Sequence, residues 1–160
     1  MKLAIIPGSF DPPTYGHLDI IRRAARIFGR AVALAMVNDQ KQTLFTPEER
    51  LFMLQESVRD IPGAEADFYG GMTYDYIAQH GVDVIVKGLR TPADFEYECE
   101  IALFNRRFAP QAETMFLYAD PNLQGLSSSG LKEAFLAGRD VRDKAPPVVL
   151  DMLAKKYGKR

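Results

Sequence analysis

Cysteine is nearly absent from this chain. Cys99 stands alone among 160 residues, so no intrachain disulfide can form, and a reducing, cytoplasmic setting is expected. Histidine is almost as scarce. His17, His80 and Cys99 lack metal-ligand spacing, which argues against a structural zinc site. Neither sign of charge is in excess: Lys and Arg number 20, Asp and Glu 21, and the net charge is −1. A general binder of nucleic acid or of membrane surface carries a basic surplus that is missing here, so any anion site must be built locally. No apolar run approaches the roughly 20 residues of a membrane span. The apolar residues 3–6 are too few for the core of a signal peptide. Repeats and low-complexity segments are lacking. So are the two commonest phosphate loops, G-x-x-x-x-G-K-[ST] and G-x-G-x-x-G.

What is present begins with the turn Pro7-Gly8-Ser9-Phe10-Asp11-Pro12-Pro13-Thr14-Tyr15-Gly16-His17. The apolar run Leu3-Ala4-Ile5-Ile6 precedes it. An amphipathic pattern with Leu18, Ile21, Ala25 and Phe28 on one face follows. This reads as a strand, a turn shaped by glycine and proline, and a helix starting near Gly16-His17. Gly8 allows close approach of the backbone to a ligand. Ser9 offers a hydroxyl at the strand end. His17 lies in the first helical turn, where unpaired N–H groups favour phosphate.

Further along, the unbroken apolar segment 31–37 suits a strand buried on both faces. The polar loop 38–45 leads to Thr46-Pro47-Glu48-Glu49, a capping box with proline at the first helical position, and Leu51, Leu54 and Val58 give that helix an apolar face. A strand at 66–69, a helix at 73–80 stopped by Gly81, and a strand at 82–87 come next. After the turn Gly88-Leu89-Arg90-Thr91-Pro92, a helix at about 93–108 carries Phe95, Cys99, Ala102 and Leu103 at helical spacing, with Cys99 expected in the core. A strand at 114–118 follows. Ser127-Ser128-Ser129 caps a helix ending at Gly138, and Pro146-Pro147 opens a last helix through about Tyr157. His80 is expected to cap its helix end. The segments 38–45, 119–126 and 155–160 are expected to be the flexible pieces.

The alternation predicts a single α/β domain over residues 1–160, a Rossmann-like, doubly wound fold with a five-stranded parallel sheet flanked by helices. Ligands of such sheets bind beyond the carboxyl ends of the strands. Five strand ends feed polar residues to that edge: Ser9 and His17, Lys41, Thr73, Lys87 with Arg90, and the triple serine. Lys87-Gly88-Leu89-Arg90 sets two cations around a glycine, a pattern suited to polyphosphate. Lys41 by itself is equally well a solvated loop charge. The three serines serve a helix cap and an anion site alike.

These motifs resemble those of the nucleotidylyltransferase superfamily, in which G-x-F-D-P and G-H are shared. The further marks Phe45-Thr46-x-x-Glu49-Arg50, Gly88-Leu89-Arg90 and Asp94-Phe95-Glu96-Tyr97-Glu98 resemble the bacterial phosphopantetheine adenylyltransferases, essentially end to end. The resemblance implies transfer of AMP from ATP to 4′-phosphopantetheine, with Mg²⁺ accompanying ATP and a homohexameric assembly. It implies ATP contacts at Ser9, Phe10, His17, Gly88, Leu89, Arg90, Glu98, Leu123, Gln124, Gly125, Leu126, Ser127, Ser128 and Ser129. It implies acceptor contacts at Ser9, Lys41, Thr73 and Lys87, and no protein-held metal. Two positions depart from the family pattern, which has arginine in place of Lys87 and often an aromatic residue in place of Leu123.

The acceptor is already an anion and needs no general base, so catalysis should rest on positioning and charge stabilisation. His17, Ser9, Lys41 and the helix end at Ser128 would face the reacting phosphorus, with Arg90 on the outer phosphates. A different acceptor, such as nicotinamide mononucleotide or glycerol phosphate, is one alternative. A non-catalytic ATP-binding regulatory domain is another.

Overall fold

Parallel strands covered on both faces need apolar side chains at odd and even positions alike, and the first two strands have them. The computed structural model describes residues 1–37 and 40–158. In chain order it contains β1 (Lys2–Gly8), α1 (Tyr15–Phe28), β2 (Gly29–Met36), α2 (Pro47–Val58), β3 (Ala64–Tyr69), α3 (Thr73–His80), β4 (Val84–Leu89), α4 (Pro92–Phe108), β5 (Glu113–Tyr118), α5 (Ser128–Leu136) and α6 (Pro147–Tyr157). Ala4, Ile6, Ala31, Ala33 and Ala35 pack with Leu18, Ile21 and Ala24 of α1 and with Leu54 and Val58 of α2. Ile5, Val32 and Leu34 alternate with them and pack with Tyr76 and Ile77 of α3. Each fully buried Leu or Ile contributes about 1.5–3 kcal/mol relative to exposure. The two-sided burial is therefore what fixes the register of the central strands.

The strands form one parallel sheet in the order β3-β2-β1-β4-β5. The order reverses between β1 and β4, and a crevice opens beyond their carboxyl ends, as expected of a doubly wound sheet. A third apolar cluster lies to the side: Phe45, Met53, Leu131, Val149 and Leu153 join α2, α5 and α6. It brings the start of α5 to the crevice. Three helices begin with reciprocal capping boxes, Thr14 with His17, Thr46 with Glu49, and Thr91 with Asp94. Each satisfies two N–H groups that a helix start leaves without acceptors.

Several boundaries differ from the sequence reading. β4 runs to Leu89 because Lys87, Gly88 and Leu89 pair with Phe116, Leu117 and Tyr118 of β5. What the sequence presents as a turn at Gly88 is still strand. β2 spans Gly29–Met36 rather than 31–37, and β3 starts at Ala64 rather than at residue 66. The loop before α2 is anchored at its end, with Phe45 buried and the Leu44 and Phe45 N–H groups bonded to Asp11. Asn38, Asp39, Lys159 and Arg160 lie outside the described residues, while 155–157 belong to α6. His80 stacks on Tyr76 with ring centroids 3.9 Å apart, and the left-handed Gly81 provides the cap.

The α4 stripe requires a correction. Phe95 and Leu103 are exposed, Cys99 is half-buried, and the deeply buried residue of this helix is Asn105. The helical spacing of those apolar residues is real, but their face does not meet the sheet. Phe104 and Phe108 are exposed beside it.

Candidate active site

The β1–α1 turn is held from below by residues that do not themselves face a ligand. Phe10 adopts φ 49°, a conformation uncommon outside glycine, and its ring is buried. A Cβ on Gly8 would lie 3.2 Å from that ring, so the glycine makes room for Phe10 as much as for a ligand. Arg50 of α2, 2% exposed, donates through Nη1 to the Ser9 carbonyl at 2.6 Å and to the Met36 carbonyl at 2.9 Å. One guanidinium thus ties the end of β1 to the end of β2. Burial pulls its pKa down, and the nearby Asp11 opposes that shift. Asp11, also buried, accepts from the Phe45 N–H through Oδ1 and from the Leu44 N–H through Oδ2, each at 2.9 Å. These bonds fix the loop that carries Lys41 against the turn.

His17 has a defined tautomer. The Thr14 backbone N–H donates to its Nδ1 at 3.0 Å. An N–H can only donate, so Nδ1 must accept, and the neutral ring carries its proton on Nε2. Burial, then the charges of Arg90 and Lys87, lower its pKa to about 4. At neutral pH His17 therefore offers the cavity an uncharged Nε2–H donor. The Phe10 ring meets it edge-on, with centroids 5.0 Å apart.

From β4, Lys87 donates to the Pro7 carbonyl at 3.3 Å and pairs with Glu98 Oε1 at 3.2 Å. Glu98 Oε2 is buried and has no hydrogen-bond partner. Gly88 packs under α1, where a Cβ would come within 3.0 Å of Ile20 Cγ1. Arg90 donates through Nη1 to the Leu126 carbonyl at 3.0 Å, and its backbone N–H donates to Asp94 at 2.9 Å. The Gln124 side-chain amide donates to the Arg90 carbonyl at 2.6 Å.

At the start of α5, Ser127 is the N-cap, its hydroxyl accepting from the Gly130 N–H at 3.0 Å. The Ser128 hydroxyl donates to the Pro12 carbonyl at 2.7 Å. Its oxygen thereby ties α5 to the phosphate turn, and the anion-binding groups of this helix are its first backbone N–H groups.

A cavity of about 600 Å³ lies at this junction. Its wall brings together Ser9, Phe10, His17, Lys41, Lys87, Gly88, Arg90, Glu98, Leu123, Leu126, Ser127, Ser128 and Ser129. Four strand ends meet there. Leu89 is buried in the sheet, and neither Gln124 nor Gly125 is part of the wall. Thr73 also lies elsewhere. It lines a separate hollow of about 380 Å³ with Met72, Tyr74, Ile101, Phe104 and Asn105. Its strand, β3, is the edge of the sheet, two places from β1. Sequence reasoning missed the roles of Arg50, Asp11 and Lys132, the last of which lines the cavity and pairs with Asp11 at 3.2 Å. The signal for Arg50 was available: it stands four and eight residues before Leu54 and Val58, an arginine on the apolar face of a helix.

Comparison with known proteins places this geometry. Residues 5–134 match the cytidylyltransferase-like family model. The chain is 41% identical over 159 residues to the phosphopantetheine adenylyltransferase of Caldanaerobacter subterraneus subsp. tengcongensis, covering 99% of each. It is 43% identical over 158 residues to that of Dictyoglomus thermophilum, covering 99% of this chain and 96% of the relative. A solved structure from Vibrio parahaemolyticus, provisionally named a nicotinate-nucleotide adenylyltransferase, superposes with a TM-score of 0.71 at 17% identity, covering 96% of this chain and 99% of that one. At that identity the likeness is one of fold.

Proposed function

The chain belongs to the phosphopantetheine adenylyltransferase family, and on that premise we propose how its cavity works. The enzyme is a nucleotidyltransferase that moves AMP from ATP to 4′-phosphopantetheine, giving dephospho-CoA and pyrophosphate in coenzyme A synthesis. An acceptor phosphate oxygen attacks the α-phosphorus in line. A new P–O bond forms, the bond from the α-phosphorus to the bridging oxygen breaks, and pyrophosphate leaves with the electron pair. No proton has to move.

The observation that carries this reading is the tautomer of His17. Its Nε2–H is a fixed, neutral donor in a cavity fed by four strand ends, suited to charge that builds on the α-phosphate oxygens. The first N–H groups of α5, with Ser9 and Lys41, share that charge, and Arg90 holds the β and γ phosphates. Phe10, Gly88, Leu89, Glu98 and the segment 123–129 form the ATP side, where Leu89, Gln124 and Gly125 act from behind the wall. Ser9, Lys41 and Lys87 hold the acceptor phosphate. Thr73 serves the same substrate at the smaller hollow, where a flexible arm continuing past its phosphate can lie.

Mg²⁺ enters with ATP. Among the described residues no group of three or more His, Cys, Asp or Glu could hold a metal ion. The fitting ligands are the phosphates and water, as is usual for Mg²⁺ with nucleotides. When bound it neutralises phosphate charge.

The chain acts as one domain over residues 1–160 in the cytoplasm. No helix among the described residues is long and apolar enough to cross a membrane, and the near-zero net charge gives no reason to invoke nucleic acid. The exposed α4 face with Phe95, Leu103, Phe104 and Phe108 is where copies of the chain meet in a homohexamer. Sedimentation equilibrium should return six chains, and a monomer at assay concentration would refute this.

Pyrophosphate release tests the reaction. It is expected with ATP and 4′-phosphopantetheine and not with ATP and nicotinate mononucleotide. The reverse preference would move the chain to another acceptor, and no release with either would leave only nucleotide binding. Arg90→Ala should weaken ATP binding about tenfold, the low end for a charged hydrogen bond, while AMP binding stays nearly unchanged. Calorimetry with both nucleotides checks it, and equal losses would remove Arg90 from the outer phosphates.

A further inference from the structure

We propose that Lys132 is a further phosphate-binding cation of this site, one that exchanges the carboxylate of Asp11 for the polyphosphate of ATP. The inference rests on the adenylyl-transfer reading and adds a residue to it. Lys132 lies four residues after Ser128, one helical turn along the same face of α5, and it lines the same cavity as His17 and Arg90.

Its present partner can spare it. Asp11 keeps the Phe45 N–H on Oδ1 and the Leu44 N–H on Oδ2 whether or not the lysine is there. The lysine contact, at 3.2 Å, is longer than the 2.7–2.9 Å usual for a charge-assisted N–H···O bond. Lysine also carries its charge on a flexible stem with three donors, so it can change partners without moving the helix.

Charge makes the exchange necessary. The cavity wall holds four cations, Lys41, Lys87, Arg90 and Lys132, against the carboxylates of Asp11, Asp94 and Glu98. Lys87 is bound to Glu98, and Arg90 is 3.5 Å from Asp94. A surplus of one positive charge does not offset a triphosphate and a second phosphorylated substrate, even with Mg²⁺ on the nucleotide. The cation whose carboxylate is otherwise satisfied is Lys132.

The competing explanation is that Lys132 only neutralises Asp11 and fastens α5 to the turn. A double-mutant cycle separates the two. ATP and adenosine affinities are measured by calorimetry for the wild type, Lys132→Met, Asp11→Asn and the double variant, with melting temperatures in parallel. The proposal expects Lys132→Met to weaken ATP about tenfold or more, as for a lost charged hydrogen bond, with adenosine unchanged. It expects the same loss in the Asp11→Asn background. Equal ATP affinity in Asp11→Asn and the double variant would overturn it, because Lys132 would then act through Asp11 alone. ATP affinity within twofold of wild type in Lys132→Met, or equal weakening of ATP and adenosine, would also overturn it. The last comparison needs no Asp11 variant, so it stands if Asp11→Asn fails to fold. Wild-type pyrophosphate release is read separately: its absence would refute the adenylyl-transfer reading, whereas normal release with unaltered ATP affinity in Lys132→Met would refute the lysine alone.

Discussion

His17→Ala should lower kcat by on the order of 10²–10³, the usual loss for one preorganised donor to a developing oxyanion, while ATP affinity changes little. The asymmetry follows from where charge appears. The α-phosphate oxygens gain charge only on the way to five-coordinate phosphorus, so a donor aimed at them acts mainly in the transition state. The substitution also removes the acceptor for the Thr14 N–H and half of a capping box. That costs about 0.5–2 kcal/mol of stability and is read separately as a fall in melting temperature. Single-turnover rates at saturating ATP and acceptor check the chemistry, and near-normal turnover would remove His17 from the mechanism.

The same residue predicts a pH profile. With its pKa held down to about 4, His17 is neutral through the range from 5.5 to 8 and gives kcat no inflection there. An inflection near 6.5 that disappears in His17→Ala would show that the ring is not held neutral. The sign for stability follows from proton counting. Below its ordinary value of 6.5 the unfolded ring binds a proton that the folded ring refuses until about 4. The contribution to stability is therefore complete above 6.5 and is lost as pH falls from 6.5 towards 4. Protonation would also put a hydrogen on Nδ1, facing the Thr14 N–H, and break the contact that orients the ring.

The strand order's consequence was legible before the structure because apolar runs mark strands and alternating helices force parallel crossovers. That rule sent Ser9, His17, Lys41, Lys87, Arg90 and the serines to one edge, and all of them line the cavity. It failed for Thr73 because a strand end reaches the crevice only if its strand lies near the reversal, and β3 is the far edge. Periodicity placed the end of β4 too early because Lys87 and Gly88 interrupt the apolar run, while pairing with β5 continues past them. Hydroxyls and amides were the least legible. Nothing in three successive serines says that Ser127 caps, that Ser128 reaches back to Pro12, or that Gln124 turns to the Arg90 carbonyl. The spacing on α4 likewise shows an apolar stripe without saying what it faces.

Lys87→Ala should raise the KM for the acceptor roughly 10- to 150-fold with ATP saturating, the range for a lost charged hydrogen bond that acts mainly in binding. Glu98 sets the upper part of that range. Lys87 occupies Oε1 of this carboxylate and leaves Oε2 buried without a partner. Removing the lysine strands the whole carboxylate beside an anionic substrate, so repulsion adds to the lost contact. Lys87→Ala/Glu98→Gln should therefore bind acceptor better than Lys87→Ala alone. Lys87→Arg should be tolerated and bind acceptor as tightly as the wild type or more so. A guanidinium fork can satisfy both Glu98 oxygens and still present donors to a phosphate, which a single ammonium cannot. The orphaned Oε2 is the structural trace of a lysine in a place where the family pattern has arginine. Melting temperature should rise in Lys87→Arg as that oxygen gains a donor. An unchanged acceptor KM in Lys87→Ala would mean that Lys87 serves only to neutralise Glu98, and the correspondence with the family's arginine would fail.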